Sequence, residues 1–299
     1  MANRYMERIN IFKGIGVALV TPFLENGSVD VDSLRALVNS VLAEGVDFLC
    51  VLGTTAETPC LSTEERTLVM EVVAEENKQR VPLLLGCGGN DTRKVCKFLQ
   101  TTNLNAFQGV LIVTPYYNRP SQEGLFQHYK AIADVSPLPI VLYNVPTRTG
   151  VNLQPQTTLR IAETCKNVVA IKEASGNLEQ IAEIIKNAPS GFDVLSGDDS
   201  LTLEMVKMGA VGVISVIGNA SIHDFTNLVR LSLKGEYPKA ETLQGKLQNV
   251  YKLLTVDGNP SGIKSLLSEQ GKIKNILRLP LVPASSETQK KIHEYLCEL

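Results

Sequence analysis

Lys172 closes the apolar run Val168-Val169-Ala170-Ile171, and no other such run in the chain ends in an amine. A charge at that place costs free energy unless it is solvated, paired or used. A lysine deprived of water shifts readily toward the neutral amine, and a neutral amine attacks a ketone to form a Schiff base. The other reading is a lysine whose stem covers apolar surface while its head reaches solvent. Lys172 alone leaves both open, and the polar residues that end the neighbouring runs bear on the choice. Residues 48–52 lead into Gly53-Thr54-Thr55-Ala56-Glu57, residues 109–113 into Thr114-Pro115-Tyr116-Tyr117-Asn118, and residues 192–195 into Ser196-Gly197-Asp198-Asp199. The run 139–143 ends in Tyr143-Asn144-Val145-Pro146-Thr147-Arg148-Thr149-Gly150.

Each of these types suits carbonyl chemistry. The hydroxyls and backbone N–H groups of Thr54 and Thr55 can bind a small carboxylate or a developing oxyanion. Tyrosine hydroxyls such as those of Tyr117 and Tyr143 can relay protons without fixing a charge beside the amine. Arg148 can hold a second carboxylate in a bidentate fork. Taken singly, the same residues also read as turn-capping threonines, half-buried tyrosines and an exposed arginine. Taken together on one rim, they favour catalysis.

What would bring them to one rim is a repeated strand–helix unit. Short runs rich in Val, Ile and Leu at 16–21, 48–52, 82–86, 109–113, 139–143, 168–172, 192–195 and 211–216 alternate with longer amphipathic stretches. That is the pattern of buried parallel strands with crossover helices. Helix starts are marked by Ser62-Thr63-Glu64-Glu65 and by Ser121-Gln122-Glu123, the N-cap and capping-box signature. Eight such units predict an α/β protein, a (β/α)8 TIM barrel, whose reactive groups project from the C-terminal ends of the strands. Beyond the eighth unit, residues 234–254, 261–268 and 286–299 read as helices, separated by Asp257-Gly258-Asn259-Pro260 and by Leu279-Pro280-Leu281-Val282-Pro283. The expected organisation is a catalytic barrel over residues 1–233 with a C-terminal helical extension over 234–299.

Composition narrows the function. With 299 residues, 44% of them hydrophobic, and a formal net charge of -2, the chain can bury a large core and has no charge bias toward nucleic acid or membrane. Residues 1–8 lack an apolar signal core, and no stretch approaches the roughly 18 apolar residues of a membrane span, so a cytoplasmic location is expected. Cys50, Cys60, Cys87, Cys96, Cys165 and Cys297 are scattered, and reduced thiols are the expectation. His128, His223 and His293 show no metal-ligand spacing, and none ends a predicted strand as a hydrolase base would. Asp198 and Asp199 oppose a phosphate after the seventh strand, which disfavours a phosphorylated substrate or pyridoxal phosphate. Gly86-Cys87-Gly88-Gly89-Asn90-Asp91 and Gly14-Ile15-Gly16 fail as nucleotide-binding motifs and read as close-packed turns. No metal or other cofactor is called for.

The segments quoted above, with Val113 before Thr114, Leu195 before Ser196, and Ile171-Lys172-Glu173-Ala174, resemble those of the dihydrodipicolinate synthase family, within the N-acetylneuraminate lyase superfamily of Schiff-base aldolases. The likeness spans nearly the whole chain. It implies condensation of pyruvate with aspartate 4-semialdehyde to 4-hydroxy-tetrahydrodipicolinate, toward diaminopimelate and lysine. It also implies roles: Lys172 for the imine, and Thr54, Tyr143 and Tyr117 for a proton relay, with Tyr117 supplied by a neighbouring subunit. Thr55 is implied for the pyruvate carboxylate, Arg148 for the semialdehyde carboxylate, and the backbone of Gly197 and Ile214 for the pyruvate pocket. A homotetramer, a dimer of dimers, is the family's assembly.

Departures from the family pattern concern subtype rather than chemistry. Ala56 stands for the more usual glycine, and Asn259-Pro260-Ser261-Gly262 lacks a second proline. In the lysine feedback pocket of inhibitor-sensitive relatives, Asn90 and Tyr116 match, whereas Arg66 and Lys94 replace a histidine and a glutamate. Two cations repel the ammonium groups of lysine, so weakened feedback is expected. The competing readings are an N-acetylneuraminate lyase or related 2-keto-acid aldolase, which should lack the Arg148-Thr149-Gly150 arrangement, and a non-catalytic barrel that binds a keto acid.

Overall fold

The structure, a computed structural model, describes residues 10–220 and 222–298. Among them the strands are β1 (Gly14–Ala18), β2 (Phe48–Val51), β3 (Leu83–Gly86), β4 (Gly109–Val113), β5 (Ile140–Asn144), β6 (Val168–Glu173), β7 (Asp193–Ser196) and β8 (Gly212–Ser215), ordered sequentially in a closed barrel. The helices of the barrel are α1 (Val31–Ala43), α2 (Thr63–Asn77), α3 (Thr92–Thr101), α4 (Gln122–Val135), α5 (Pro146–Thr149), α6 (Pro155–Thr164), α7 (Leu178–Asn187), α8 (Thr202–Met208) and α9 (Ile222–Leu233). Three more follow: α10 (Tyr237–Val256), α11 (Ser261–Glu269) and α12 (Ser286–Cys297). The (β/α)8 barrel with a C-terminal helical segment is therefore the architecture. No helix among the described residues is long and apolar enough to cross a membrane.

The described residues pack as two compact units, one of Leu84–Val213 with residues 10–13, the other of Gly14–Leu83 with the described residues from Ile214 on. In the first, β4, β5, β6 and β7 pair in parallel, and Leu84, Val110, Ile140, Val141, Leu142, Ala170 and Ile171 are sealed from solvent. Continuous apolar strands suit such burial on both faces, and each fully buried Val, Leu or Ile stabilises by about 1.5–3 kcal/mol. Tyr129 of α4 is wholly buried with them because its hydroxyl finds the carbonyl of Ile112 at 3.1 Å. In the second unit β1 pairs with β2, α1 packs on α2, and α9, α10, α11 and α12 pack on one another.

Local chemistry sets the element ends. The expected box at Ser62 is present: Ser62 Oγ accepts from the Glu65 N–H while the Glu65 carboxylate accepts from the Ser62 N–H. Ser121 caps α4 without the reciprocal bond: its Oγ accepts from the Gly124 N–H, and a glycine at that position has no side chain to reach back. β1 occupies 14–18 rather than the expected 16–21, because the Val20 N–H leaves the ladder and donates to the Asn219 side chain. The helix expected from residue 234 begins at Tyr237, since Gly235 turns the chain with φ 77° at the end of α9 and Pro238 sits in the first turn of α10. Gly16 and Gly88 are close-packed: a Cβ on Gly16 would meet the Phe48 ring at 2.1 Å, and one on Gly88 the Val113 nitrogen at 2.5 Å.

Candidate active site

In the first unit, strand register makes the central pair. Tyr143 of β5 lies opposite Lys172 of β6, which in turn lies opposite Leu195 of β7. Lys172 is 5% and Tyr143 6% exposed. The Lys172 Nζ stands 4.5 Å from the centroid of the Tyr143 ring, a distance at which a cation is drawn to the ring face. Gly197 makes room for the lysine: a Cβ there would lie 2.7 Å from the Ala174 Cβ and 3.0 Å from the Lys172 Cε. Its N–H donates to the Glu173 carbonyl at 2.8 Å, which holds that bare peptide in place.

Two loops of the same unit carry further candidates. Arg148 is exposed on the short helix α5, which Gly150 ends in a left-handed turn at φ 74°. Thr149 joins this loop to the one after β4, since its hydroxyl accepts from Thr114 Oγ1 at 3.2 Å and its carbonyl accepts from the Tyr117 N–H at 3.3 Å. Tyr117 has φ 73° and is 87% exposed. A non-glycine residue held in the left-handed region is strained by about 1–3 kcal/mol, and the residue that bears the strain here is open to solvent. Tyr116 is half-exposed, and its carbonyl accepts from Asn90 Nδ2 at 3.4 Å. Lys94 is exposed, with its Nζ 3.8 Å from the Asp91 carboxylate.

In the second unit, the turn after β2 is fixed by several side chains. Thr54–Ala56 forms a single 3-10 turn flanked by left-handed residues, Leu52 at φ 56° and Glu57 at φ 55°. Thr54 is half-buried and Thr55 only 2% exposed, its hydroxyl accepting from Asn259 Nδ2 at 3.0 Å. Thr21 Oγ1 donates to the Ala56 carbonyl at 2.8 Å and Thr58 Oγ1 to the Gly53 carbonyl at 3.0 Å. The carboxylate of Glu57, buried like the amine it meets, accepts from Lys264 Nζ and, at 3.0 Å, from the Arg278 N–H. Burial pushes the Lys264 amine down to about 8, against the pull of Glu57. Arg278 forms a two-pronged pair with Glu65, whose carboxyl that hydrogen bond lowers to about 2. Ile214 is sealed within β8. Arg66 Nε donates to the Leu61 carbonyl at 3.1 Å.

Several residues without an assigned role in the sequence stand beside these candidates. Asn144 and Glu173, one position past Tyr143 and Lys172, are fully buried and hydrogen-bonded to each other at 3.1 Å and 3.2 Å. A carboxylate in an otherwise apolar strand carries the same cost that singles out Lys172, and that signal was available. Asn259 and Lys264 carry none, because their partners are 204 and 207 positions away, and Asn152 and Gln180 carry none, because partners 8 and 7 positions away match no local spacing rule. Among the described residues no cluster of three His, Cys, Asp or Glu side chains could hold a metal ion.

Comparison with known proteins agrees over almost the full length. The 4-hydroxy-tetrahydrodipicolinate synthase of Phocaeicola vulgatus is 53% identical over 287 residues, covering 96% of this chain and 97% of that one. The enzyme of the same name from Parabacteroides distasonis is 53% identical over 294 residues, covering 98% and 99%. The crystal structure of dihydrodipicolinate synthase from Thermotoga maritima superposes with a TM-score of 0.94 at 42% identity, covering 97% of this chain and 99% of that one. The family match runs over residues 11–299, and the chain belongs to the dihydrodipicolinate synthetase family.

Proposed function

We propose that this chain is a lyase that condenses pyruvate with L-aspartate 4-semialdehyde to 4-hydroxy-tetrahydrodipicolinate, in the cytoplasm, on the route to diaminopimelate and lysine. The observation that carries the reading is the Lys172 amine, buried beside the Tyr143 ring at a strand end, in a chain 53% identical to synthases along its length. Lys172 Nζ attacks C2 of pyruvate and water leaves, giving an imine. The imine acidifies the pyruvate methyl group, which loses a proton to become an enamine. The enamine carbon then bonds to the aldehyde carbon of the semialdehyde. Water adds to the re-formed imine and breaks its C–N bond to free Lys172 and leave a ketone, and the adduct's own amino group condenses with that ketone, expelling water, to close the ring.

Thr54, Tyr143 and Tyr117 are proposed to pass the protons, since hydroxyls can give and take them without a fixed charge. Thr55 helps seat the pyruvate carboxylate, the Gly197 and Ile214 backbones line the pyruvate pocket, and Arg148 holds the carboxylate of the semialdehyde. The 87% exposure of Tyr117 supports its serving a neighbouring subunit's site, within a homotetramer built as a dimer of dimers. Asn90, Tyr116, Arg66 and Lys94 are proposed to form a lysine pocket in which the two cations weaken feedback. Strong inhibition by submillimolar lysine is the result that would contradict it.

The experiment is borohydride trapping with pyruvate, read by mass at Lys172. Wild-type protein gains the pyruvyl adduct and Lys172→Ala does not, while Arg148→Ala keeps the adduct and loses turnover with the semialdehyde. Adduct retained in Lys172→Ala removes Lys172 from the mechanism. Turnover of N-acetylneuraminate in place of the semialdehyde points to the sister aldolase, and absence of any adduct to a binding protein.

A further inference from the structure

A closed ring of amides surrounds the carboxylate of Glu173. Asn144 Nδ2 donates to both Glu173 oxygens and, at 2.8 Å, to Asn152 Oδ1. Gln180 Nε2 donates to Glu173 Oε2 at 3.0 Å and to Asn152 Oδ1 at 3.2 Å, while its own Oε1 accepts from Asn152 Nδ2 at 2.8 Å. The Ser175 N–H donates to Glu173 Oε1 at 2.8 Å. The direction of the ring is fixed from outside, because Asn144 Oδ1 accepts from the Leu153 N–H at 2.9 Å and so must turn its Nδ2 toward Glu173. Every group facing the carboxylate is a donor, and every amide has one orientation that satisfies its neighbours.

This ring touches both halves of the proposed chemistry in this unit. Asn144 lies opposite Glu173, one step beyond the Tyr143 and Lys172 pair, and alternation along a strand sends the two pairs to opposite faces. The Asn144–Glu173 bonds therefore clamp β5 to β6 directly behind the amine. The bonds from Asn144 to Asn152 and from Leu153 close the loop 145–153, which carries Arg148.

We infer that Asn144 and Glu173 are positioning residues that set, through one buried hydrogen-bond ring, both the reach of Lys172 and the placement of the Arg148 loop. The inference rests on the reading of Lys172 as the imine residue and Arg148 as the carboxylate holder. Glu173 donates no proton to substrate in this scheme. Its function is to be the acceptor that orients the amides around it.

The test is an exchange of polarity. Glu173→Gln sets an amide N–H2 against donors, and Asn144→Asp sets a carboxylate against a carboxylate. In the double exchange the new carboxylate at position 144 still accepts from the Leu153 N–H, and the new amide at position 173 offers its oxygen to the Ser175 N–H and its N–H2 to that carboxylate. Each single variant is expected to slow imine trapping at saturating pyruvate, and to raise KM for the semialdehyde, by about tenfold or more, the loss expected of one buried charged hydrogen bond. The double variant is expected to recover most of both. Asn152→Ala lies at the half-buried margin of the ring and serves if a single variant does not fold. It removes the side-chain bonds to Asn144 and Gln180 and so loosens the Arg148 loop, while the Asn144–Glu173 bonds behind the amine stay, so KM for the semialdehyde rises and trapping by pyruvate stays at the wild-type rate. Folded single variants that trap at the wild-type rate, a double variant no better than the worse single one, or an Asn152→Ala protein unchanged in KM overturn the positioning role alone. Wild-type protein that traps no pyruvate overturns the reading of Lys172 beneath it.

Discussion

Glu57 and Glu173 are both fully buried glutamates just past the end of a strand's apolar run, and the two units of the chain answer them differently. Glu57 meets a cation, the buried Lys264, and its neighbour Arg278 is paired with Glu65. Glu173 meets only neutral donors, and burial raises its pKa in spite of them. A buried ion pair is costly to assemble and far more costly to halve, because the orphaned charge keeps its desolvation penalty. A carboxylate ringed by amides keeps a smaller cost at all times and depends instead on the direction of each dipole. The contrast is between a region that tolerates loss of both partners together and a region that tolerates only a change preserving polarity.

The largest effect expected from that contrast is in the ion-paired region. Lys264→Met leaves the Glu57 carboxylate without its cation and is expected to destabilise the fold by about 3–5 kcal/mol, measured by denaturant unfolding. Glu57→Gln combined with Lys264→Met removes both charges and is expected to regain much of the loss. A double variant as unstable as Lys264→Met alone would erase the distinction between the two regions.

A smaller effect separates them by pH. Glu65 titrates at about 2 when folded against 4.5 for the free group, so the unfolded chain binds more protons over that window. The pair with Arg278 then contributes its full stability above about 4.5 and loses it as pH falls toward 2. Glu173 is raised above 4.5 by burial, so the folded state holds the extra proton and this group's contribution falls as pH rises from 4.5. Glu65→Gln is expected to flatten the acid limb of a stability–pH curve, and Glu173→Gln the limb above it. A Glu173→Gln protein with the wild-type slope above pH 4.5 would mean that the amide ring fully offsets the buried charge.

These two regions also mark where reading the sequence stops. Val110, Val141 and Ile171 sit in strands whose apolar runs announce themselves, and Lys172 and Tyr143 are legible because a polar group closing such a run is conspicuous. Glu57 and Lys264 are 207 positions apart, and no spacing rule connects them. Asn144, Asn152 and Gln180 are ordinary polar residues until the strand register and the Leu153 N–H give each amide a direction. The same limit displaced β1, whose end depends on Asn219, 199 positions from Val20. The role of Ser62 was legible because its partner Glu65 is three residues away.

The absent side chain at Gly197 has a consequence for how this site could change over time. The vacancy is shaped by the Lys172 stem on one side and the Ala174 methyl on another, and the peptide around it is tied to Glu173. Even the smallest branch there displaces the lysine stem, the neighbouring methyl or the tether. Substrate preference in descendants of this chain is therefore freer to drift through Arg148, on its exposed short helix, than through the floor beneath the amine.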